Sequence, residues 1–457
     1  MTAFRKTRRA TTATALVLGS CLGLPGSAVA GTTMLADANT VCTQGQIMPI
    51  ADQIDEPWEI AAADPSSLTD PQGNQLTGGG VTVAVIDTGI APLPQLNVSG
   101  GEVLNGESGG YNADDDGHGT MVASIIGAQK STANGMQGIA PGVQLMSVRE
   151  AGCNATKGNT ENAMADAINY AVGHGAEVIN ISQDGYDQDP ALLTAVQNAY
   201  NAGVVVVTAA GNQGERDTTD DNGTDYGVNP QTYPASYKPD VIAVGAVDQY
   251  GNVAPFSETG SAKTTYYIGV TAPGESVGGL LPKGGIAIDD GTSFAAPYVA
   301  AEAALIMQEH GWANSADANS SRAYDVMKII YATAGGDGSY DASSGWGEVD
   351  IQKALQAPQI KNGALVADGG TIGGLVALRG PGPLADDQTA STTTSVANQA
   401  GQPVVTPYVA AAVNQTAKNQ ERWAYLALGA GLLVALVALA GSAVARDTAR
   451  RRNAVQR

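Results

Sequence analysis

The segment Gly291–Pro297, GTSFAAP, is the strongest indication of the fold. It places Ser293 between a tight glycine turn and the apolar run VAAEAALIMQEH, whose pattern predicts a helix. A serine at a helix start is commonly no more than an N-cap. Two upstream segments point to a further role for it. Val83–Gly89, VAVIDTG, predicts a buried strand that ends in Asp87, and DGHGT at 116–120 predicts a helix that begins at His118.

Aspartate, histidine and serine in this chain order make one of the known nucleophilic triads. A serine hydroxyl is a weak nucleophile until a base removes its proton. His118 is suited to that role because imidazole titrates near neutral pH, and Asp87 would orient the ring and stabilise the imidazolium. Asp87 ends a strand, where the active sites of parallel sheets gather. Ser293 at a helix start lies near unpaired N–H groups that favour a developing negative charge.

A fourth motif is the run VVVVTAAGN at 204–212, an apolar strand that leads into a Gly-Asn turn. Taken alone, Gly-Asn is an ordinary turn signal. Together, the four motifs in this order resemble those of the subtilisin-like serine proteases, over about residues 78–356. The resemblance implies a serine endopeptidase that needs no cofactor. It also implies that the Asn212 amide stabilises the tetrahedral oxyanion formed when Ser293 attacks a peptide bond.

The strand that pairs with substrate in this family usually carries Ser-Leu-Gly-Gly. This chain has Ser182-Gln183-Asp184-Gly185 after VINI. The resemblance therefore implies that Ser182, Asp184 and Gly185 bind substrate. Asp184 replaces a glycine that normally admits the substrate backbone, so we expect a narrower or more polar specificity pocket.

The N-terminal residues 1–30 have the pattern of a secretory signal. Four basic residues between Arg5 and Arg9 precede a short apolar stretch and the small-residue cleavage site Ala28–Ala30. The segment Leu18–Cys21 is weakly similar to a lipoprotein box, so lipidation at Cys21 is the alternative. Either alternative predicts that the mature chain is exported.

Residues 423–445 predict a single transmembrane helix, because they form 23 consecutive residues without a charge. The alternative is a buried core helix. The tail at 446–457 carries five arginines and one aspartate, so the positive-inside rule places it in the cytoplasm. The sequence therefore predicts a single-pass cell-membrane protein with its catalytic domain extracellular.

Cysteine usage is consistent with export. Cys21 would leave with the signal peptide, so the mature chain keeps Cys42 and Cys153. Two cysteines in an oxidising compartment favour one disulfide, with two free thiols as the alternative. The bond would tie an N-terminal extension at 31–78 to the body.

The body at 79–357 alternates apolar strands with helical patterns, which predicts an α/β fold with a mostly parallel sheet between two helical layers. The strand candidates are VTVAVID, VQLMSVR, AEVINIS, GVVVVTA and DVIAVGAV. Residues 358–422 become rich in Thr, Ala, Gln, Gly and Pro, which is typical of a flexible linker. For LVADGGTIGGLVAL at 365–378, ordered packing on the body is the alternative.

The exported part is strongly acidic. Without the basic residues of the signal and the charged residues of the tail, 14 basic and 43 acidic residues remain. This charge argues against nucleic acid and anionic lipid as partners. The clusters Asp114–Asp116 and Asp217–Asp225 are candidate calcium sites because hard cations prefer clustered carboxylates, although we favour solvated acidic loops. No His/Cys spacing of a metal site occurs.

A narrower resemblance includes both ends of the chain. A signal peptide, an extension with a cysteine and PWEIAAADPSSL, a Pro/Thr-rich linker, one span and a basic tail together resemble the mycosins. These are membrane-anchored subtilisin-like proteases of actinobacterial type VII secretion systems. The resemblance implies that the extension stays on the body, that exported proteins are substrates, and that secretion-complex subunits are partners. A mainly structural subunit and a general surface protease are the alternative functions.

Overall fold

The computed structural model describes residues 57–104, 106, 108–132, 134–151, 163–219, 224–261, 266–314, 320–357, 360–361, 364–365, 378 and 382–384. The predicted signal peptide, both mature cysteines, the predicted span 423–445 and the basic tail lie outside these residues. Within the described residues, no helix combines the length and apolar character that a bilayer crossing requires.

Seven parallel strands form the central sheet, in the order β2-β3-β1-β4-β5-β8-β9. Three two-stranded antiparallel ribbons, β6/β7, β10/β11 and β12/β13, lie outside it. The strands are β1 Thr82–Asp87, β2 Val98–Val103, β3 Gln144–Arg149, β4 Val178–Ile181, β5 Val205–Ala209, β6 Asp217–Thr219, β7 Asp225–Val228, β8 Ile242–Val247, β9 Ile268–Pro273, β10 Val277–Leu280, β11 Ile286–Asp289, β12 Ile360–Lys361 and β13 Ala364–Leu365.

Helices cover both faces of the sheet. They are α1 Trp58–Ala63, α2 His118–Gly127, α3 Ala163–Gly173, α4 Pro190–Asn201, α5 Thr292–Glu309, α6 Ser320–Thr333 and α7 Ile351–Leu355. Side chains alternate across a strand, so Val83 and Val85 of β1 join the core cluster that contains α2 and α5. Ala84 and Ile86 join the opposite cluster with α3 and α4. The predicted α/β fold with a mostly parallel sheet is confirmed.

All five predicted strands are present, as β1, β3, β4, β5 and β8. Two further strands of the sheet, β2 and β9, were not predicted. β2 has the sequence VSGGEV and lies at an edge of the sheet, so burial does not impose an apolar pattern on it. β9 is fully buried, but it carries a glycine and ends in proline, two residue types that are depleted in strands.

Helix α5 is the central support of the active-site edge. It is buried from Thr292 to Met307 and packs against β4, β5, β8 and β9. Its N-cap is Gly291, so Ser293 is the second residue of the helix and not its cap. The nucleophile candidate therefore stands on a rigid element that contacts four neighbouring strands.

The described part of the N-terminal extension packs on the body. Trp58 Nε1 donates a hydrogen bond to the carbonyl of Ser276 at 3.1 Å, and Glu59 Oε1 accepts one from the N–H of Gly278 at 2.9 Å. Leu68 and Leu76 are buried in the core cluster of α2 and α5. Residues 57–77 are thus part of the folded body.

Residues beyond Ala357 also contact the body. Leu378, the last residue of the segment for which packing was the alternative, is fully buried. Trp346 Nε1 donates to the carbonyl of Pro383 at 3.0 Å. Leu378 and Pro383, which lie within the predicted linker at 358–422, are therefore in contact with the body, and the flexible linker stays a prediction.

Candidate active site

Asp87 and His118 meet at the carboxyl edge of the sheet. Asp87 ends β1, which pairs with β3 on one side and β4 on the other, so it lies where the chain changes direction across the sheet. His118 Nδ1 lies 2.7 Å from Asp87 Oδ1, and both side chains are buried. Asp87 Oδ1 also accepts the backbone N–H of Thr88 at 2.7 Å, which fixes the carboxylate.

A glycine makes this close approach feasible. Gly119 follows His118 in the first turn of α2, and a Cβ on it would lie 2.2 Å from the carbonyl oxygen of Gly89. The same Cβ would lie 3.1 Å from Asp87 Oδ1. Any side chain at position 119 would therefore push α2 away from β1 and separate the histidine from its carboxylate.

The acidic residues before α2 hold its first turn in place. Asp114 accepts hydrogen bonds from the N–H groups of Gly117 and Thr120 at 2.8 and 2.9 Å, and from the Thr88 hydroxyl at 3.0 Å. Asp116 Oδ1 accepts the N–H of His118 at 3.2 Å. These carboxylates satisfy helix N–H groups, and their charge favours the positive end of the helix dipole.

Opposing effects act on the pKa of His118. Burial disfavours the imidazolium, but the charges of Asp87, Asp116 and Asp114 and the hydrogen bond to Asp87 outweigh it and raise the pKa to about 9. Burial, together with the charge of Asp114, raises the pKa of Asp116 to about 7. The imidazole therefore sits in a strongly negative environment that stabilises its protonated form.

Ser293 faces the end of β4. Its Oγ donates a hydrogen bond to the carbonyl of Ser182 at 3.1 Å, and the Ser182 Oγ donates to the carbonyl of Ser293 at 2.7 Å. Asn180 Nδ2 donates to the Ser182 Oγ at 2.9 Å. The ring of His118 lies 5.3 Å from that of Phe294, so the imidazole stands beside the serine.

Asn212 follows β5 and is buried beside the start of α5. Its Oδ1 accepts the N–H of Thr292 at 2.9 Å and the Thr292 hydroxyl at 3.0 Å. The side-chain NH₂ group is therefore directed away from Thr292. The four predicted catalytic side chains, from β1, α2, α5 and the end of β5, thus come together at one edge of the sheet.

The three residues predicted to bind substrate, Ser182, Asp184 and Gly185, differ in their contacts. Ser182 exchanges hydrogen bonds with Ser293 at the start of α5, as described above. Gly185 exchanges two backbone hydrogen bonds with Tyr233, at 2.9 and 2.7 Å, so its N–H and carbonyl already have partners. Asp184 is half-buried, and burial raises its pKa to about 7. Their contacts with substrate remain a prediction.

Calcium has little support at the first acidic cluster. No group of three or more His, Cys, Asp or Glu side chains among the described residues is arranged to hold a metal ion. At Asp114–Asp116, the Asp114 carboxylate is already saturated by hydrogen bonds from Thr88, Gly117 and Thr120. Residues 220–223 of the second cluster lie outside the described part of the chain.

Sequence patterns had not singled out several residues that position the site. Thr88 Oγ1 accepts the N–H of Gly119 at 2.9 Å and so joins β1 to α2. Thr292 holds Asn212, and Asn180 holds Ser182. Thr88 and Thr292 each neighbour a predicted catalytic residue in the chain, and that position is the one sequence signal that could have identified them.

This geometry joins a buried Asp–His pair, a serine at a helix start and an amide that follows β5. The model of the subtilase family matches residues 78–347, more than half of the chain. The chain belongs to the subtilase family. It is a subtilisin-like serine endopeptidase.

This subtilase is similar to subtilisins in sequence and to MycP proteases in structure. Subtilisin DY of Bacillus licheniformis is 40% identical over 241 residues, which are 52% of this chain and 81% of the relative. Among solved structures, MycP3 protease from the type VII (ESX-3) secretion system is 29% identical with a TM-score of 0.56. The match covers 68% of this subtilase and 91% of MycP3. MycP1 from Mycobacterium smegmatis is also 29% identical, with a TM-score of 0.55, over 70% of this chain and 90% of MycP1.

Proposed function

We propose that this subtilase is a membrane-anchored, extracytoplasmic mycosin-like endopeptidase that cleaves exported proteins and works with a type VII secretion system. The observation that carries the proposal is the likeness to MycP3, which extends over 91% of that protease. The predicted span at 423–445 and the signal at 1–30 are consistent with it.

In the proposed mechanism, Ser293 Oγ attacks the carbonyl carbon of the scissile peptide bond. His118 Nε2 takes the serine proton, while Asp87 accepts the hydrogen bond of Nδ1–H and stabilises the imidazolium. The oxyanion accepts hydrogen bonds from Asn212 Nδ2 and from the N–H groups at the start of α5. Because Asn212 is already held by Thr292, little reorganisation is needed when the negative charge forms.

Collapse of the tetrahedral intermediate expels the amine. His118 donates its proton to that leaving group, and Ser293 keeps the acyl group as an ester. A water molecule then attacks the ester with His118 again as base, which releases the acid and restores the serine. Every transferred proton passes through His118, first from Ser293 to the leaving amine and then from the attacking water to Ser293, so Asp87 does not need to take up a proton.

The linker and the single span determine where the enzyme acts. A catalytic domain tethered to the membrane has a raised effective concentration for membrane-bound partners. Its acidic exported part disfavours anionic lipid surfaces, which leaves protein subunits as the proposed docking partners. Tethering also argues against the alternative of a general surface protease that digests nutrients.

The second candidate function is a structural subunit that stabilises the secretion complex. Its support is the same tether and anchor, which fit a fixed partner. Against an exclusively structural role stands the complete catalytic set, because a scaffold has no need of a buried Asp87–His118 pair beside Ser293. Both roles can reside in one chain.

The two roles separate in a secretion assay that compares Ser293→Ala with deletion of the whole chain. We expect Ser293→Ala to leave secretion largely intact and deletion to abolish it, with processing of an exported protein lost in both. The control is Ser320→Ala, a serine at the start of α6. If the catalytic variant blocks secretion as fully as the deletion, the structural role is wrong; if neither affects secretion or processing, the secretion role is wrong.

A further inference from the structure

Arg149 ends β3 beside Asp87 of the proposed triad. Strands β1 and β3 are parallel, and Arg149 is the partner of Asp87 in their register. The arginine is only 1% exposed. A guanidinium keeps its charge and carries several N–H donors, so its burial is costly unless those donors meet acceptors. The acceptors that Arg149 finds here belong to the chain segments that carry Asp87 and His118.

The Nε–H group of Arg149 holds the turn that follows Asp87. It donates a hydrogen bond to the carbonyl of Thr88 at 3.0 Å. The next residue, Gly89, has a φ of 120°, and a Cβ on it would lie 3.0 Å from both Cγ and Cδ of Arg149. The aliphatic part of the arginine therefore packs against this turn, and a glycine permits the close approach.

Thr88 connects this restraint to both members of the Asp–His pair. Its N–H donates to Asp87 Oδ1 at 2.7 Å, and the same oxygen lies 2.7 Å from His118 Nδ1. The Thr88 hydroxyl oxygen accepts the N–H of Gly119, the residue after His118, at 2.9 Å. The orientation of Thr88 therefore affects both the carboxylate and the first turn of α2.

The Nη1 group of Arg149 reaches the stretch of chain that leads into α2. It donates to the carbonyls of Ser108 and Gly110, at 3.1 and 3.0 Å. The same stretch continues to Asp114, whose carboxylate accepts the Thr88 hydroxyl at 3.0 Å and holds the first turn of α2, as described above. One side chain thus joins the turn after β1 to the segment that precedes the histidine.

We propose that Arg149 is a positioning residue for the Asp87–His118 pair. Its Nε and Nη1 donors hold the two segments together, so they fix the distance and the angle between the carboxylate and the imidazole. A charge-assisted hydrogen bond depends strongly on that geometry. Removal of the Ser293 proton, which forms the imidazolium, then depends on Arg149 through the pair. The proposal rests on the triad of the proposed mechanism and does not depend on the secretion role.

The test compares Arg149→Lys and Arg149→Met in the purified full chain. Lysine keeps the positive charge but replaces the two separate donor groups by one ammonium group, whereas methionine removes both the charge and the donors. Turnover is expressed per site labelled to completion by a fluorophosphonate on Ser293. We expect both variants to lower kcat by about 10- to 100-fold, with Arg149→Met at least as low as Arg149→Lys, because small displacements of catalytic groups are costly. KM should change by less than about 2-fold.

The matched control is Arg322→Met. Arg322 is a buried arginine on α6 whose Nε also donates to a backbone carbonyl, that of Gly203, at 2.8 Å. Its replacement removes a buried guanidinium without touching the segments that carry the triad. We expect a lower free energy of unfolding for Arg322→Met but the wild-type kcat per labelled site.

Proton NMR supplies a readout that a loss of stability alone does not change. The Nδ1–H proton of a histidine bound to a carboxylate resonates far downfield, so the wild-type chain should show this signal for His118. We expect Arg149→Lys and Arg149→Met to shift or weaken the signal, because each alters the contact between His118 and Asp87. Arg322→Met should keep the signal.

If Arg149→Lys keeps either the wild-type signal or the wild-type kcat, Arg149 is not a positioning residue and the proposal is wrong. An equal fall of kcat in Arg322→Met would also overturn it, since any buried arginine would then have the same effect. Should Arg149→Met fail to fold, Arg149→Lys, which keeps the charge, still decides. A wild-type chain that takes no label overturns the triad itself, whereas a labelled wild type with unchanged variants overturns only the role of Arg149.

Discussion

The side chain of Asn212 is held by Thr292, the residue that precedes the catalytic serine. Asn212 Oδ1 accepts hydrogen bonds from both the N–H and the hydroxyl of Thr292, at 2.9 and 3.0 Å, and the N–H of Gly211 donates to the same hydroxyl at 3.1 Å. These three bonds join the end of β5 to the start of α5. The proposed oxyanion donor Asn212 and the proposed nucleophile Ser293 are therefore positioned together.

Replacing Asn212 should lower kcat more than removing one of the hydrogen bonds that hold its side chain. We expect Asn212→Ala to lower kcat by about 100- to 1000-fold, the usual cost of one lost oxyanion donor, with little change in KM. Thr292→Val removes the hydroxyl but keeps the backbone N–H, so we expect a smaller loss, about 10-fold. Thr292→Ser keeps the hydroxyl and is the matched control. Steady-state kinetics on one peptide would rank the variants by their kcat. A fall in kcat for Thr292→Val as large as that for Asn212→Ala would contradict the prediction.

Replacing any one of the three triad residues should remove most of the peptide hydrolysis. Ser293→Ala, His118→Ala and Asp87→Ala should each lower peptide hydrolysis by at least about 10³-fold, because each removes one member of a coupled set. The double variant Ser293→Ala/His118→Ala should be about as inactive as either single variant. Thermal unfolding of each protein checks that the fold is kept. Near-wild-type turnover by purified Ser293→Ala protein would show that the nucleophile has been assigned wrongly.

Activity should rise toward alkaline pH. His118 accepts a proton from Ser293 only when neutral, and the surrounding carboxylates raise its pKa to about 9 despite its burial. We expect kcat/KM to increase as pH rises from 7 through about 9. Asp116→Asn removes one of these negative charges and should move the rising limb to lower pH. Asp166→Asn, an exposed acid on α3, is the control with the same charge change. An unchanged midpoint in Asp116→Asn would contradict the electrostatic cause.

The folded domain, with the N-terminal extension packed on it, should be more stable at alkaline pH when Glu59 is replaced by a residue that cannot ionise. Burial is the main cause that raises the pKa of Glu59 from 4.5 to about 8. The folded chain therefore keeps a proton that the unfolded chain releases, so stability falls as pH rises between about 4.5 and 8, by at most about 5 kcal/mol. Glu59→Gln keeps the acceptor for the N–H of Gly278 and should stabilise the domain at pH 9 but not at pH 4. Denaturant unfolding at both pH values measures this, and equal effects at the two would refute it.

The mature chain should contain one disulfide, between Cys42 and Cys153. These two cysteines remain once the predicted signal at 1–30 is removed, and the proposed export would place them in an oxidising compartment. Peptide mapping without reductant should recover them as one linked fragment. Cys42→Ser should lower the free energy of unfolding by about 2–4 kcal/mol. Recovery of both thiols free would support the alternative of two unpaired cysteines.

Local pattern in the chain predicted five of the seven strands of the central sheet and indicated the candidate catalytic residues. The runs around Val83–Asp87 and Val204–Ala209 are buried on both faces, so their composition is nearly continuous in apolar residues and easily recognised. Asp87 is the last residue of the first run, and Asn212 lies three residues after the end of the second, so the position of each strand end indicated both. Edge strand β2 was missed because half-exposed positions accept glycine and polar residues.

Contacts between segments that are distant in the chain determine which side chains meet at the candidate site. Ser182 and Ser293 are 111 residues apart, and no local pattern indicates that each hydroxyl donates to the other's carbonyl. Likewise, Glu258 approaches Gly211 because β5 and β8 pair and the chain after β8 returns to the end of β5. A sequence pattern reports whether a residue is buried and in which element it lies. Which buried groups then face one another depends on how the elements pack, and that packing brings together the candidate catalytic residues that the motifs had indicated separately.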